Sequence, residues 1–297
     1  MKTRSDSGPV LDKGDVLLEA RGLSKGFPGV WEHLILDKLD FDVRSGEVHT
    51  LLGENGAGKT VIANILSGYY EKTEGEIRVK GKLVHFRSPR EGLAHGIAMV
   101  HQELMLVPAF TVAENIMVGL DAPLFSYGIA GVEKRIQRLV ERYGLQVDPK
   151  ARVEDLSAGQ QQRVEILKVL FHEPEVLLLD EPTSLLTPSE ADQLFVVLRA
   201  MADDGKGIVF ISHKMREVFA VSDRVTVLKL GKTQGTCQIT ETNEEELTRR
   251  TFGETVPDYM ERPPVAHEKL ALNTIEMVPS GLEKKPNPQG ISLKIRC

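Results

Sequence analysis

The run Gly53-Glu54-Asn55-Gly56-Ala57-Gly58-Lys59-Thr60 constrains the chain more than any other stretch, because it fits the pattern G-x-x-x-x-G-K-[ST]. Glycines, lacking Cβ atoms, let a backbone curl tightly enough for successive N–H groups to converge on one anion. A helix that begins where such a loop ends adds the positive end of its dipole. Both flanks suit this: EVHTLL (47–52) reads as a strand and KTVIANILSGYY (59–70) as a helix. In that setting the loop wraps phosphates. Lys59 places a point charge on the β- and γ-phosphates, and the Thr60 hydroxyl serves Mg²⁺. A chance match in a chain of this length is on the order of one in a hundred.

The segments around the loop alternate between strand and helix patterns. VLLEARGLS (16–24) and ILDKLDFDV (35–43) read as strands of a sheet with one wet face, and EIRVKGKLVHF (76–86) as a hairpin turning at Gly81. From Thr111 to Leu170 the periodicity is helical, with Val112, Ile116, Ile136, Leu139 and Val140 on apolar faces. VLLLD (176–180) and GIVFIS (207–212) are almost wholly apolar, which suits parallel strands covered on both faces. The pattern predicts an α/β layered domain over residues 15–254, with a helical insertion at about 103–172. Residues 1–14 read as a loose polar tail.

After Gly253 the character changes. Residues 255–268 carry Pro257, Pro263 and Pro264 among charges, a linker composition. KLALNTIEM (269–277) resembles LLEARGL near the start, and GISLKIRC (290–297) resembles the DFDVRSG run before Glu47. Residues 269–297 are therefore expected to begin a second copy of the same domain, stopping short of a second phosphate loop.

Bulk properties narrow the function classes. Apolar residues at 41% and charged residues at 27% exclude wholesale disorder. A net charge of -6 argues against a domain that lives on nucleic-acid phosphates, and no nucleic-acid partner is expected. No apolar run approaches the roughly 20 residues that span a bilayer, and the N-terminus lacks a secretory signal. The protein is expected in the cytoplasm, borrowing any transmembrane part from a partner. Cys237 and Cys297 lie far apart and suit a reduced compartment. His33, His49, His95, His101, His172 and His267 show no metal-ligand pairing.

Two further stretches carry chemistry. VLLLDEPTS puts Asp180 and Glu181 at the end of a buried strand. One carboxylate there can hold a Mg²⁺ shell, and the next can orient or deprotonate an attacking water. Leu156-Ser157-Ala158-Gly159-Gln160-Gln161-Gln162-Arg163 leads into the helical VEILKVLF. A serine cap, a flexible glycine and a helix start form a second anion site that suits a γ-phosphate.

With these residues in order, the chain resembles the ATP-binding cassette (ABC) family from about residue 16 to 253. The shared features are the loop at 53–60, Gln102 after the IAMV strand, LSAGQQQR, Asp180-Glu181, and His213 after GIVFIS. FPGV (27–30), TVAENIMVG (111–119), QQQRVEILK (160–168) and DEPTSLLTP (180–188) resemble more closely the importers of simple sugars and nucleosides, in which two cassettes usually share one chain.

The resemblance implies a P-loop NTPase core with a parallel central sheet, an antiparallel β subdomain and a helical insertion. It implies ATP hydrolysis with Mg²⁺, in which Glu181 is the general base and His213 holds the γ-phosphate and the water. Gln102 touches metal or water, and Thr60, Gln102 and Asp180 serve the metal. Gly53, Glu54, Asn55, Gly56, Ala57, Gly58, Lys59, Thr60 and Val61 cradle the nucleotide. Phe27 stacks on adenine, with Trp31 nearby as a second candidate. Ser157, Gly159 and Gln160 act on nucleotide held by a second cassette, in a head-to-tail dimer. The implied partners are transmembrane permease subunits, which meet LMLVPAF after Gln102, and, indirectly, an extracytoplasmic substrate-binding protein. The implied location is peripheral, on the cytoplasmic face of the cell membrane.

Three positions depart from the family's pattern. Val61 replaces a second hydroxyl residue, which removes one hydrogen bond of about 0.5–1.5 kcal/mol. Ala158 is a mild change in the signature. Thr187 stands where an aspartate usually reaches across the dimer. Two alternative readings stand beside this one. A soluble ABC ATPase of DNA repair or translation generally shows long coiled-coil insertions or two complete cassettes with basic linkers, and this sequence shows neither. A non-hydrolysing regulatory cassette is disfavoured by Lys59, Asp180, Glu181 and His213.

Overall fold

The computed structural model describes residues 13–27, 34–120, 128–253, 270–277 and 291–296. They divide into two units, residues 1–253 and 254–297. In the first unit β1 (Val16–Lys25), β2 (Leu36–Arg44), β4 (Glu74–Val79) and β5 (Lys82–Val84) form an antiparallel sheet in the order β2-β1-β4-β5. Alternation sets its faces. Leu36, Leu39, Phe41 and Val43 are buried along β2, whereas Lys38 and Asp40 are exposed. The hairpin turns at Lys80 and Gly81, both in the left-handed region.

The second sheet runs β10-β9-β3-β8-β7-β6, built from β3 (Val48–Leu52), β6 (Ile97–Val100), β7 (Val176–Asp180), β8 (Gly207–Ser212), β9 (Arg224–Lys229) and β10 (Lys232–Gln238). All its neighbours are parallel except β9 and β10. Successive residues enter opposite cores. Leu177, Leu179, Ile208 and Phe210 face one hydrophobic cluster, and Val176, Leu178, Val209 and Ile211 face the other. Burial on both faces is why these strands read as unbroken apolar runs.

Eight helices are described: α1 (Lys59–Leu66), α2 (Pro89–Ala94), α3 (Val112–Val118), α4 (Gly128–Tyr143), α5 (Ala158–Leu170), α6 (Pro188–Asp203), α7 (Met215–Val221) and α8 (Glu244–Phe252). Helices α3, α4 and α5 lie between β6 and β7. Three N-termini follow the rule [ST]-x-x-[EQ] as reciprocal capping boxes: Thr111 with Glu114, Ser157 with Gln160, and Thr187 with Glu190. The first helix is shorter than the expected 59–70. Its chain turns away at Gly68, where φ is +86° and a Cβ would stand 2.5 Å from the Ser88 carbonyl oxygen.

A buried polar joint ties the two sheets together. Arg224 on β9 donates to Asp42 at 2.7 Å and to Glu47 at 3.0 Å. On β3, His49 Nδ1 lies 2.7 Å from the Asp42 carbonyl oxygen and Nε2 lies 2.8 Å from Thr226 Oγ1. Burial, reinforced by the Arg224 charge, holds the His49 imidazole down to about 3, so the ring is neutral.

In the second unit β11 (Leu270–Met277) pairs antiparallel with β12 (Ile291–Arg296). Among the described residues no helix is long and apolar enough to cross a membrane.

Candidate active site

The chemistry-bearing residues gather at the C-terminal edge of the parallel strands, where open α/β sheets place their ligands. The loop at 53–60 leaves β3, Gln102 follows β6, Asp180 closes β7, and His213 follows β8. Strand order then brings them together, because β8 lies between β3 and β7, and β7 lies next to β6.

Close packing dictates two of the loop's glycines. A Cβ at Gly53 would stand 2.4 Å from the Leu228 carbonyl oxygen, and one at Gly58 (φ +105°) 2.7 Å from Leu36 Cδ2. Lys59 is 5% exposed, and its Nζ donates to the carbonyls of Gly53 at 2.7 Å and Glu54 at 2.9 Å. Burial pushes its pKa down, against the pull of Glu181 and Asp180. The ammonium is thus curled inside the loop it would serve.

The acidic edge is asymmetric. Asp180 is 2% exposed; burial pushes its carboxyl up, while a hydrogen bond from Thr60 and the charge of Lys59 work against this. Its Oδ1 is buried without a hydrogen-bond partner. A buried carboxylate oxygen left so is costly, and a cation's hydration shell would satisfy it. Among the described residues no cluster of three His, Cys, Asp or Glu could hold a metal alone. The orphaned Asp180 oxygen and the Thr60 hydroxyl bonded to the same carboxyl are donors of the type that fit a Mg²⁺ ion.

Glu181 adopts φ 45°, left-handed for a non-glycine, with its N–H donating to the Ile211 carbonyl at 3.1 Å. Its Oε1 lies 3.0 Å from His213 Nδ1, where the imidazole donates.

Asn55, Gly56, Gly58, Lys59, Thr60, Val61, Gln102 and Glu181 line one cleft of about 410 Å³, together with Ile35. Gly53, Glu54 and Ala57 belong to the loop's backbone and do not line it. Phe27 does not line it either: its ring packs edge-on against Tyr70, centroids 5.5 Å apart, with Lys25 Nζ 4.7 Å from the centroid. Trp31 lies outside the described residues. Ser157, Gly159 and Gln160 sit at the start of α5 and take no part in the cleft around Lys59.

Three buried polar side chains take up partners around the site that were not singled out from the sequence. Glu217 on α7 is 6% exposed and accepts from Thr183 Oγ1 at 2.7 Å and Ser212 Oγ at 2.8 Å. Thr183 is two residues after Glu181, and Ser212 directly precedes His213, so Glu217 ties both loops together. The segment after Gln102 is gripped in the same way. Glu165 accepts the Met105 N–H at 2.5 Å and Lys168 donates to the Met105 carbonyl at 2.8 Å. Asn115 accepts the Val107 N–H at 2.7 Å and donates to its carbonyl at 3.0 Å. The side chains of Met105, Val107 and Phe110 stay exposed. Nothing in a helical Glu or Asn announces such a partner; only the tertiary fold supplies it.

Comparison with known proteins places these features. The family model described as ABC transporter matches residues 36–184. The chain is 41% identical over 262 residues to the nucleoside import ATP-binding protein NupA of Lactococcus lactis subsp. cremoris (strain MG1363), covering 88% of this chain and 52% of that one. It is 41% identical over 282 residues to the ribose import ATP-binding protein RbsA 1 of Rubrobacter xylanophilus, covering 95% and 55%. The chain thus spans about half the length of these curated relatives. Among solved structures, the dimeric post-hydrolysis state of the ATP-binding cassette MJ0796, bound to ADP and Pi, superposes with a TM-score of 0.64 at 24% identity, covering 75% of this chain and 99% of that one. That likeness establishes the fold.

Proposed function

Since the chain belongs to the ABC transporter family, we propose that it binds ATP with Mg²⁺ and hydrolyses it to drive import of a simple sugar or nucleoside. The observation that carries this is the single cleft shared by Lys59, Thr60, Gln102 and Glu181, with the unsatisfied Asp180 oxygen beside Thr60 and His213 on Glu181. Lys59 exchanges its two loop carbonyls for β- and γ-phosphate oxygens. Glu181 accepts the proton of a water whose oxygen bonds to the γ-phosphorus, while the bond from that phosphorus to the ADP oxygen breaks. His213 keeps the Glu181 carboxylate aimed, and donates to the γ-phosphate only when its second ring nitrogen also carries a proton. Gln102, Thr60 and Asp180 would hold the Mg²⁺, which when bound supplies charge neutralisation at the β–γ bridge.

Three lines support the wider assignment. The relatives' names speak of nucleoside and ribose import, which suits a sugar or nucleoside cargo. Exposed Met105, Val107 and Phe110 adjoin Gln102, on a segment held rigid by α3 and α5. Such a preorganised apolar surface suits a short helix of a transmembrane permease and would place the chain on the cytoplasmic face of the membrane. Ser157, Gly159 and Gln160 stand away from the chain's own Lys59 cleft, which favours their use on nucleotide held by a second cassette, head to tail. The antiparallel pair of β11 and β12 has the form of β1 with β2, and supports residues 269–297 as the start of a repeat.

Steady-state ATPase of the chain beside a Glu181→Gln variant tests the core assignment. The variant is expected to keep its affinity for a fluorescent ATP analogue while turnover falls by about 10²-fold or more. Unchanged turnover would overturn the role of Glu181.

A further inference from the structure

The signature serine already has an anion. Ser157 Oγ accepts the Gln160 N–H within its capping box and donates towards Glu190 Oε1, 3.4 Å away on α6. The other oxygen of that carboxylate, Oε2, accepts the Thr187 N–H at 3.0 Å and the Thr187 hydroxyl at 2.8 Å. The group is therefore anchored and not free to swing. It also lies over Gly159, where a Cβ would stand 2.5 Å from Oε1 and 2.8 Å from Cδ. The hydrogen bonds from Thr187, the backbone one foremost, hold the Glu190 carboxyl below the usual carboxylate range, so it is charged at neutral pH.

We propose that Glu190 is a positioning residue that holds Ser157 against a built-in carboxylate, which the phosphate of a second cassette's nucleotide must displace before the two cassettes close. This rests on the composite-site assignment made above for Ser157, Gly159 and Gln160. A hydroxyl has one proton to donate, so Glu190 Oε1 and a γ-phosphate oxygen compete for it. Both competitors are anionic, and their proximity adds repulsion to the competition.

The arrangement also gives Thr187 a role in place of an aspartate that reaches across a dimer. Its hydroxyl donates to Glu190 and accepts the Glu190 N–H at 3.3 Å, so it is fully engaged within its own chain. Thr187, Glu190 and Ser157 form one line from the loop after Glu181 to the signature helix. Release of Ser157 leaves the Thr187 half of that line intact.

Glu190→Gln separates charge from structure, because a glutamine at this position of the helix keeps the capping box. The 297-residue chain would carry Glu181→Gln to arrest hydrolysis and be titrated with ATP and Mg²⁺ while its mass is followed by sedimentation. With Glu190→Gln added, the ATP concentration at the association midpoint is expected to fall about threefold or more, while the protein without nucleotide still melts in one cooperative step. In a Ser157→Ala background the same substitution is expected to shift the midpoint less, since the contested hydroxyl is gone. Equal midpoints with and without Glu190→Gln would overturn the proposal. Failure of every variant to associate, with ATP binding intact, would remove the composite-site assignment and this inference with it. Failure to bind ATP at all would instead strike at the cleft around Lys59.

Discussion

Glu181 and His213 depend on loops that end neighbouring strands, and Glu217 joins those loops from behind through Thr183 and Ser212. Truncating it leaves the hydroxyl protons of Thr183 and Ser212 without their acceptor, at about 1–3 kcal/mol each at most. Glu217→Ala is expected to lower kcat about tenfold, with the KM for ATP nearly unchanged, because orientation is lost and not nucleotide contact. Glu217→Gln, which keeps an acceptor, is expected to recover much of that loss, and steady-state kinetics on the pair checks both. Residues of this kind mark the limit of what could be read from the chain alone. The placement of Lys59, Thr60, Asp180 and Glu181 at strand ends was legible, because apolar strand runs next to fixed motifs locate them. Glu217, Glu165 and Asn115 act on partners 34, 60 and 8 residues away, respectively, and no local pattern records that. The Phe27 ring meets Tyr70 and Lys25, contacts between neighbouring segments that no local pattern records.

Among elements, the joint between the sheets has a pH signature. His49 on β3 titrates at about 3 in the folded chain, against an ordinary 6.5. Its folded pKa is depressed, so the unfolded chain binds the proton first, and stability present above about pH 6.5 drains away as pH falls towards 3. Asp42 on β2 adds a second, more acidic window. Burial raises its carboxyl, yet the Arg224 hydrogen bond and charge, with help from Arg44, bring it down to about 2 from 3.8. That contribution is lost as pH falls from about 4 towards 2. Melting temperatures are expected to decline steadily from pH 6.5 to 4, and His49→Gln is expected to flatten that slope while lowering stability at pH 7. An equal slope in the variant would locate the sensitivity elsewhere. The strands forming this joint were legible by alternation, and β7 and β8 by their unbroken apolar runs. The stop of α1 at Leu66 was not, because it is imposed by the approach of Ser88 to Gly68.

For the whole molecule, the first unit carries three hydrophobic clusters built entirely from its own described residues. A chain ended at Gly253 is expected to melt cooperatively and to bind ATP within about twofold of the full chain, as independent units do. A collapse of either property on truncation would show that residues 254–297 contribute to the first unit. The layered α/β architecture followed from the order of strand and helix patterns, whereas the pairing of the two sheets through Arg224, Asp42 and Glu47 needed the fold. One residue sets a wider trade-off. Glu181 stands at φ 45°, a backbone region that costs a non-glycine residue about 1 kcal/mol or more. Glycine would relieve that cost and carry no carboxylate. A library screened for heat resistance alone would therefore drift towards glycine at 181, and one screened for ATP turnover would drift back. Robustness and fitness would part company at the residue proposed as the general base.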